Sequence, residues 1–126
     1  EPLAYDAVRN GAELIAISTN DSWFNDSSAV YEHNSHSVLR AVENGRYIVR
    51  AANTGISSVI SPSGEIKDML PPLVEGQISC DVTFSDKRTL YSEAGNIIVP
   101  FSVFVLAASS VIIRMKGKRS NDGHCC

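Results

Sequence analysis

Leu14-Ile15-Ala16-Ile17 is a short apolar run without alternation, and it opens the stretch that decides the fold. Such a run fits a strand covered on both faces. The chain then turns polar from Ser18 to Ser28, rich in Asn, Asp and Ser, with Trp23-Phe24 in the middle. Asp26, Ser27 and Ser28 offer N-caps for a helix expected from Ala29 to Asn44. Its apolar stripe is weak, with Val38 and Val42 at i, i+4 and Ala41 beside them. Asn44-Gly45 stops it, because both residues tolerate a left-handed backbone. Tyr47-Ile48-Val49 is β-branched and aromatic, the mark of a second strand. Strand, helix and strand in this order predict an α/β fold.

Outward from that centre the reading is similar. Pro2 to Asn10 reads as a helix, with Leu3, Ala7 and Val8 near one face and Asn10-Gly11 as the stop. Asn53-Thr54-Gly55 breaks the second strand. Ile56 to Ile60 and Glu65 to Met69 form a hairpin around Ser61-Pro62-Ser63-Gly64, whose Pro and Gly positions suit a type I turn. Gln77 to Phe84 alternates strictly, with Ile78, Cys80, Val82 and Phe84 on one face, which predicts a half-buried strand with Cys80 in its core. Ser85 to Asn96 reads as a polar connector.

The formal net charge of −3 over 126 residues argues against a nucleic-acid binder, which carries clustered Lys and Arg over its fold. The three cysteines, Cys80, Cys125 and Cys126, have neither metal-ligand spacing nor a disulfide framework, so no metal or cofactor is expected. From Ile97 to Ile113 no residue is charged, and Arg114, Lys116, Lys118 and Arg119 follow at once. A buried core helix would also fit so short a run. The basic stop favours a transmembrane helix with a cytoplasmic end. The expected organisation is a domain over 1–88, a connector over 89–96, a span over 97–114 and a basic tail over 115–126.

The segment Thr19-Asn20-Asp21-Ser22-Trp23-Phe24-Asn25-Asp26-Ser27 resembles the T-N-D-x-W-F-G-D-S loop of the apolipoprotein N-acyltransferases, a branch of the nitrilase, or carbon-nitrogen hydrolase, superfamily. Further likenesses follow in order. Glu32-His33 stands where that family has Q-H. Arg40 to Arg46 is similar to its R-A-x-E-x-x-R, and Arg50 to Ser57 to its R-A-T-N-T-G-I-S. Ser61 to Ile66 resembles its D-P-x-G-x-I hairpin; Thr89-Leu90-Tyr91 and Gly95-Asn96 are similar to T-x-Y…G-N/D. The resemblance covers nearly the whole chain up to the basic tail. It implies the C-terminal part of a nitrilase-like αββα sandwich, followed by one transmembrane helix in a bacterial inner membrane, with the domain on the periplasmic side. It implies no cofactor and a Glu-Lys-Cys triad. In that chemistry a thiolate takes an acyl chain from a phospholipid and passes it to the N-terminal amine of a diacylglyceryl-modified apolipoprotein. The triad is not found in this sequence: the nucleophilic cysteine would precede Glu1, so the chain reads as an inactive fragment.

Several residues have two readings each. Trp23 and Phe24 line an acyl or lipid groove, or cap the sheet core. Asn20 and Asp21 hydrogen-bond near the scissile group, or form Asx turns. His33 reaches the pocket, or packs and caps. Asn53 and Gly55 shape the pocket floor. Glu43 forms a structural ion pair with Arg40 or Arg46, and Arg50 pairs with a carboxylate at the sheet edge. Asn25 replaces the family's Gly and is expected to change the loop's backbone. His36 and His124 carry no evident role. Two other functions compete: another nitrilase-type amide or nitrile hydrolase, and a non-catalytic membrane-anchored remnant.

Overall fold

The computed structural model describes residues 2–25, 27–95 and 97–121. The chain runs α1 (Pro2–Arg9), β1 (Leu14–Asn20), α2 (Ser28–Asn44), β2 (Tyr47–Asn53), β3 (Ser57–Ile60), β4 (Ile66–Leu70), α3 (Leu90–Ala94) and α4 (Ile98–Asn121). Two units form, one ending at Glu93 and the second beginning at Ala94.

In the first unit the strands form one sheet in the order β1-β2-β3-β4. β1 and β2 are parallel, as a strand pair joined by a helical crossover must be. β2, β3 and β4 are antiparallel neighbours. The β3–β4 turn closes with Gly64 N–H donating to Ser61 O at 2.9 Å and Ser61 N–H to Glu65 O at 2.9 Å.

Strand register places Ile15, Ile48 and Ile60 in one row across the sheet. Ala41 of α2 packs on that row, with Ile17 and Val38 partly buried around it. Two residues along, the row becomes Ile17, Arg50 and Ser58. α2 matches the change. Its buried residues are Val30, Asn34, Ser37, Ala41 and Asn44, a stripe at helical spacing with the polar pair Asn34 and Ser37 in its middle. Val42, expected on the apolar stripe, is exposed. Gly45 ends the helix at φ 62, a left-handed cap. A Cβ there would lie 2.8 Å from Thr89 Cγ2. Ser27 sits in the N-cap position without a side-chain cap bond. Ser28, also a candidate cap, is the first residue of the helix, and Asp26, the third, lies outside the described residues, as do Asn96 and the tail's His124, Cys125 and Cys126.

Three expectations are corrected. β1 is an edge strand, and Ala16, Ser18 and Asn20 on one of its faces are exposed, so the run is not covered on both sides. Residues 77–84 make no strand. The alternation survives in burial only as far as Val82: Ile78, Cys80 and Val82 are half-buried and Gln77, Ser79 and Asp81 exposed, but Phe84, expected on the inward face, is exposed. An alternating segment becomes a strand only where a neighbouring ladder pairs with it. The polar connector contains α3, which Thr89 starts by accepting from Ser92 N–H at 3.0 Å through Oγ1 while its own N–H donates to Ser92 Oγ at 2.8 Å. The expected span falls on α4; among the described residues no helix is long and apolar enough to cross a membrane.

Candidate functional site around Asp21

β1 ends at Asn20, and Asp21 follows where the chain leaves the C-terminal edge of the parallel pair. Sites in α/β sheets collect at that edge, because loops there diverge. Asp21 is 1% exposed. Its carboxylate is the hub of a buried cluster. Oδ2 accepts from Arg50 Nη2 at 2.8 Å. Oδ1 accepts from Thr19 Oγ1 at 3.1 Å and lies 2.9 Å from His33 Nδ1. The same His33 nitrogen is 3.1 Å from Arg50 Nη2.

Arg50 is 3% exposed and spends its other donors nearby. Nη1 donates to Ser37 Oγ at 3.1 Å and Nε to Ile56 O at 3.2 Å. Beside it, Ser58 Oγ donates to Asn34 Oδ1 at 2.8 Å. The polar pair of the α2 stripe is therefore a set of partners for the polar row of the sheet. A buried polar group without a partner would cost about 1–3 kcal/mol, so each side chain here requires the next.

Two backbone segments are tied to this hub. Asp21 N–H donates to Asn53 O at 3.1 Å, and Phe24 N–H to Asp21 O at 3.0 Å. Gly55 packs directly on the carboxylate, where an added Cβ would stand 2.1 Å from Asp21 Oδ2. Between them Thr54 takes φ 61, a left-handed conformation that is strained for a β-branched residue. Asn25 takes φ 48, so it adopts a left-handed turn of the kind glycine favours rather than abolishing it.

The sequence candidates separate as follows. Asn20 forms an Asx turn, its Oδ1 accepting from Ser22 N–H at 3.2 Å and from Asn53 Nδ2 at 3.1 Å. Asn53 is thus linked to Asn20 at the exposed rim. Trp23 is 84% exposed and does not cap the core. Phe24 meets His33 edge-on at a centroid distance of 5.7 Å. His33 is bound by the hub on one side, and its side chain is 38% exposed. Asp21, Phe24 and His33 come together; Trp23 projects from the same loop. Arg40 pairs with Glu43. Arg46 takes a different course from the expected ion pair. It is 2% exposed and donates to the carbonyls of Ala12 at 2.8 Å, Gly45 at 3.1 Å and Lys87. Ser37, Asn34 and Ser58 were not singled out from the sequence; the one available signal was polar residues at helical spacing opposite a strand arginine.

Away from the hub, an open trough of about 430 Å³ is lined by Val49, Ala51, Val59, Leu70 and the free thiol of Cys80. A second, of about 500 Å³, runs between α1 and β1. Among the described residues no cluster of His, Cys, Asp and Glu could hold a metal ion.

An α/β sheet with a polar hub at its C-terminal edge is a scaffold shared by many enzymes, and sequence comparison resolves which. The chain belongs to the carbon-nitrogen hydrolase family, whose profile matches residues 2–91. Its relatives are more particular. It is 38% identical over 117 residues to the apolipoprotein N-acyltransferase of Geobacter metallireducens, covering 93% of this chain and 22% of that protein. It is 36% identical over 116 residues to that of Thermotoga maritima, covering 92% and 23%. For Haemophilus ducreyi the identity is 30% over 117 residues, covering 93% and 23%. The chain therefore spans less than a quarter of the length of these relatives.

Proposed function

We propose that this chain forms one wall of an enzyme that moves an acyl chain from a phospholipid to the N-terminal amine of a diacylglyceryl-modified apolipoprotein. One observation carries the reading. Two segments that resemble acyltransferase motifs, Thr19–Phe24 and Arg50–Gly55, are locked together by the buried Asp21–Arg50 pair, which leaves Trp23 exposed on their common rim. An exposed tryptophan beside a second ring suits contact with acyl chains, because it offers a large apolar face with one polar N–H. The matched relatives, named as apolipoprotein N-acyltransferases, supply the class of reaction. The four-stranded sheet is read as part of an αββα sandwich.

In this reading the wall binds and orients, and the covalent step belongs to a Glu-Lys-Cys triad that this chain does not carry. Cys80 is half-buried in the trough, where its thiol faces the Asp81 carbonyl at 3.5 Å. The isolated chain is accordingly inactive. We also assign α4 to the membrane, on the strength of the uncharged stretch 97–113 and the cations that follow it. The domain would then face the periplasm and the tail the cytoplasm.

Exchange of residues 1–126 for the matched region of the Geobacter metallireducens relative tests the reading. The chimera should transfer acyl chains to a diacylated lipopeptide, and Trp23→Ala in it should lower the rate at least about tenfold, the loss of one well-placed apolar contact. A folded chimera without transfer would sink the proposal. The 126-residue chain alone should form no thioester with a phospholipid donor. A reporter active only in the cytoplasm, fused after Cys126, should give signal if the orientation is right.

A further inference from the structure

His33 Nδ1 has two polar neighbours that ask for opposite things. Asp21 Oδ1, at 2.9 Å, can only accept, while Arg50 Nη2, at 3.1 Å, can only donate. A single ring nitrogen serves one of them. If Nδ1 were bare, its lone pair would face a carboxylate oxygen across a buried gap. If it carries the proton, it makes a charge-assisted bond to that oxygen, which is the stronger kind. Arg50 loses little by this, because Nη2 already donates to Asp21 Oδ2 at 2.8 Å and Nη1 to Ser37.

We infer that Asp21 is a positioning residue that fixes His33 in the Nδ1–H tautomer and so presents its Nε2 as an open hydrogen-bond acceptor beside the Trp23–Phe24 rim. The bond made by one imidazole nitrogen sets the state of the other. Phe24 holds the ring from the side, and the 38% exposure of the His33 side chain leaves it accessible. An acceptor of this kind takes an N–H or O–H donor. If the proposed function holds, that donor is the amine that receives the acyl chain. The tautomer itself does not depend on that reading.

Long-range 15N NMR of the full chain in mild detergent decides the tautomer, with the His33 signals identified by their loss in His33→Gln. The expected spectrum has a protonated Nδ1 and a bare Nε2; a protonated Nε2 overturns the inference. Asp21→Asn places an amide donor against Nδ1 and should reverse the tautomer, as a carboxylate-to-amide change does wherever a carboxylate orients a histidine. Carbethoxylation gives a second readout, because Nε2 must supply the lone pair. Measured against the exposed His36, His33 should react in the wild type and several-fold more slowly in Asp21→Asn; equal rates would count against the inference. Should Asp21→Asn not fold, the wild-type spectrum alone decides. In the chimera, His33→Leu should raise KM for the lipopeptide more than it lowers kcat, and His33→Gln, which retains an acceptor oxygen, should restore KM. A bare Nε2 without that KM pattern keeps the tautomer and removes the amine as its ligand. A chimera inactive from the start would instead count against the acyl-transfer reading.

Discussion

Arg46 and Arg50 are both buried and four positions apart along the chain, Arg46 just before β2 and Arg50 within it, with the fully buried Ile48 between them. Their partners differ in kind. Among the described residues Arg46 donates only to backbone carbonyls, those of Ala12, Gly45 and Lys87, and so staples three pieces of chain at the N-terminal edge of β2. Thr89 reinforces the same junction, its hydroxyl donating to the carbonyl of Glu43 at the end of α2. Arg50 instead faces a carboxylate and a histidine at the C-terminal edge. Carbonyls are neutral, and losing the arginine there strands dipoles. Asp21 is a carboxylate, and losing Arg50 strands it in a buried site. One edge of the sheet is tied for stability, and the other holds charge where loops and exposed aromatics meet.

The largest expected effect separates the two. Arg50→Met should destabilise the chain by about 3–5 kcal/mol, the usual cost of leaving one member of a buried pair unmatched. That is a large share of a typical domain's stability of about 5–15 kcal/mol. Urea titration in mild detergent, followed by circular dichroism, measures it. Asp21→Asn added to Arg50→Met should recover part of the loss, because the stranded charge is gone. A double variant as weak as the sum of its parts would show that the two residues do not act as a pair. Arg46→Met should cost less, about 1.5–3 kcal/mol, the range for hydrogen bonds made by a charged donor. No substitution of a carboxylate should rescue it. An Arg46 cost equal to that of Arg50 would erase the distinction between the edges.

How much of this was legible follows from what a single sequence can encode. The order of elements was readable, because α1, α2, β2 and the β3–β4 hairpin each end on local signals such as Asn44-Gly45 and Ser61–Gly64. Residues 77–84 show the limit. Their alternation reports which side chains turn inward, whereas the strand itself depends on a partner elsewhere in the chain. The site was half-readable for the same reason. Asp21 and His33 stood out in a likeness to a known loop. That Arg50 pairs with a carboxylate at the sheet edge was readable; that the carboxylate is Asp21, with His33 beside it, was not, since it depends on the register Ile17↔Arg50 and on α2 lying across β2 and β3. Asn34 and Ser37 look like gaps in an apolar stripe until the polar row beneath them is known. Of the two arginines offered to Glu43, Arg40 is its partner, and nothing local announces the three carbonyls that hold Arg46.

Close packing offers a smaller effect on the Arg50 side. Gly55→Ala should displace the Asp21 carboxylate, because 2.1 Å is far inside contact distance and the carboxylate is held on both oxygens. Overpacking of this kind costs about 1–3 kcal/mol. The hub should feel it before the fold does, so the His33 15N shifts should move in a variant that still unfolds cooperatively. Unchanged shifts would mean that the backbone of the 53–55 turn yields instead.

The smallest effect has the opposite sign. Thr54 holds φ 61 beside Gly55, and its hydroxyl donates to the Asn53 carbonyl at 2.7 Å. Glycine accepts that conformation without the clash of a branched Cβ, and relief of such strain is worth about 1 kcal/mol or more. Part of that gain is lost again, because glycine also frees the unfolded chain by about 0.5–1 kcal/mol. Thr54→Gly should therefore leave stability unchanged or raise it by a few tenths of a kcal/mol, whereas the same replacement at an unstrained sheet residue lowers it. A clear loss would show that the hydroxyl bond outweighs the strain and that threonine at the rim is held for its side chain. A gain accompanied by lower acyl transfer in the chimera would show that the strained turn keeps Asn53 and the Asp21 loop in their working positions at a cost in stability.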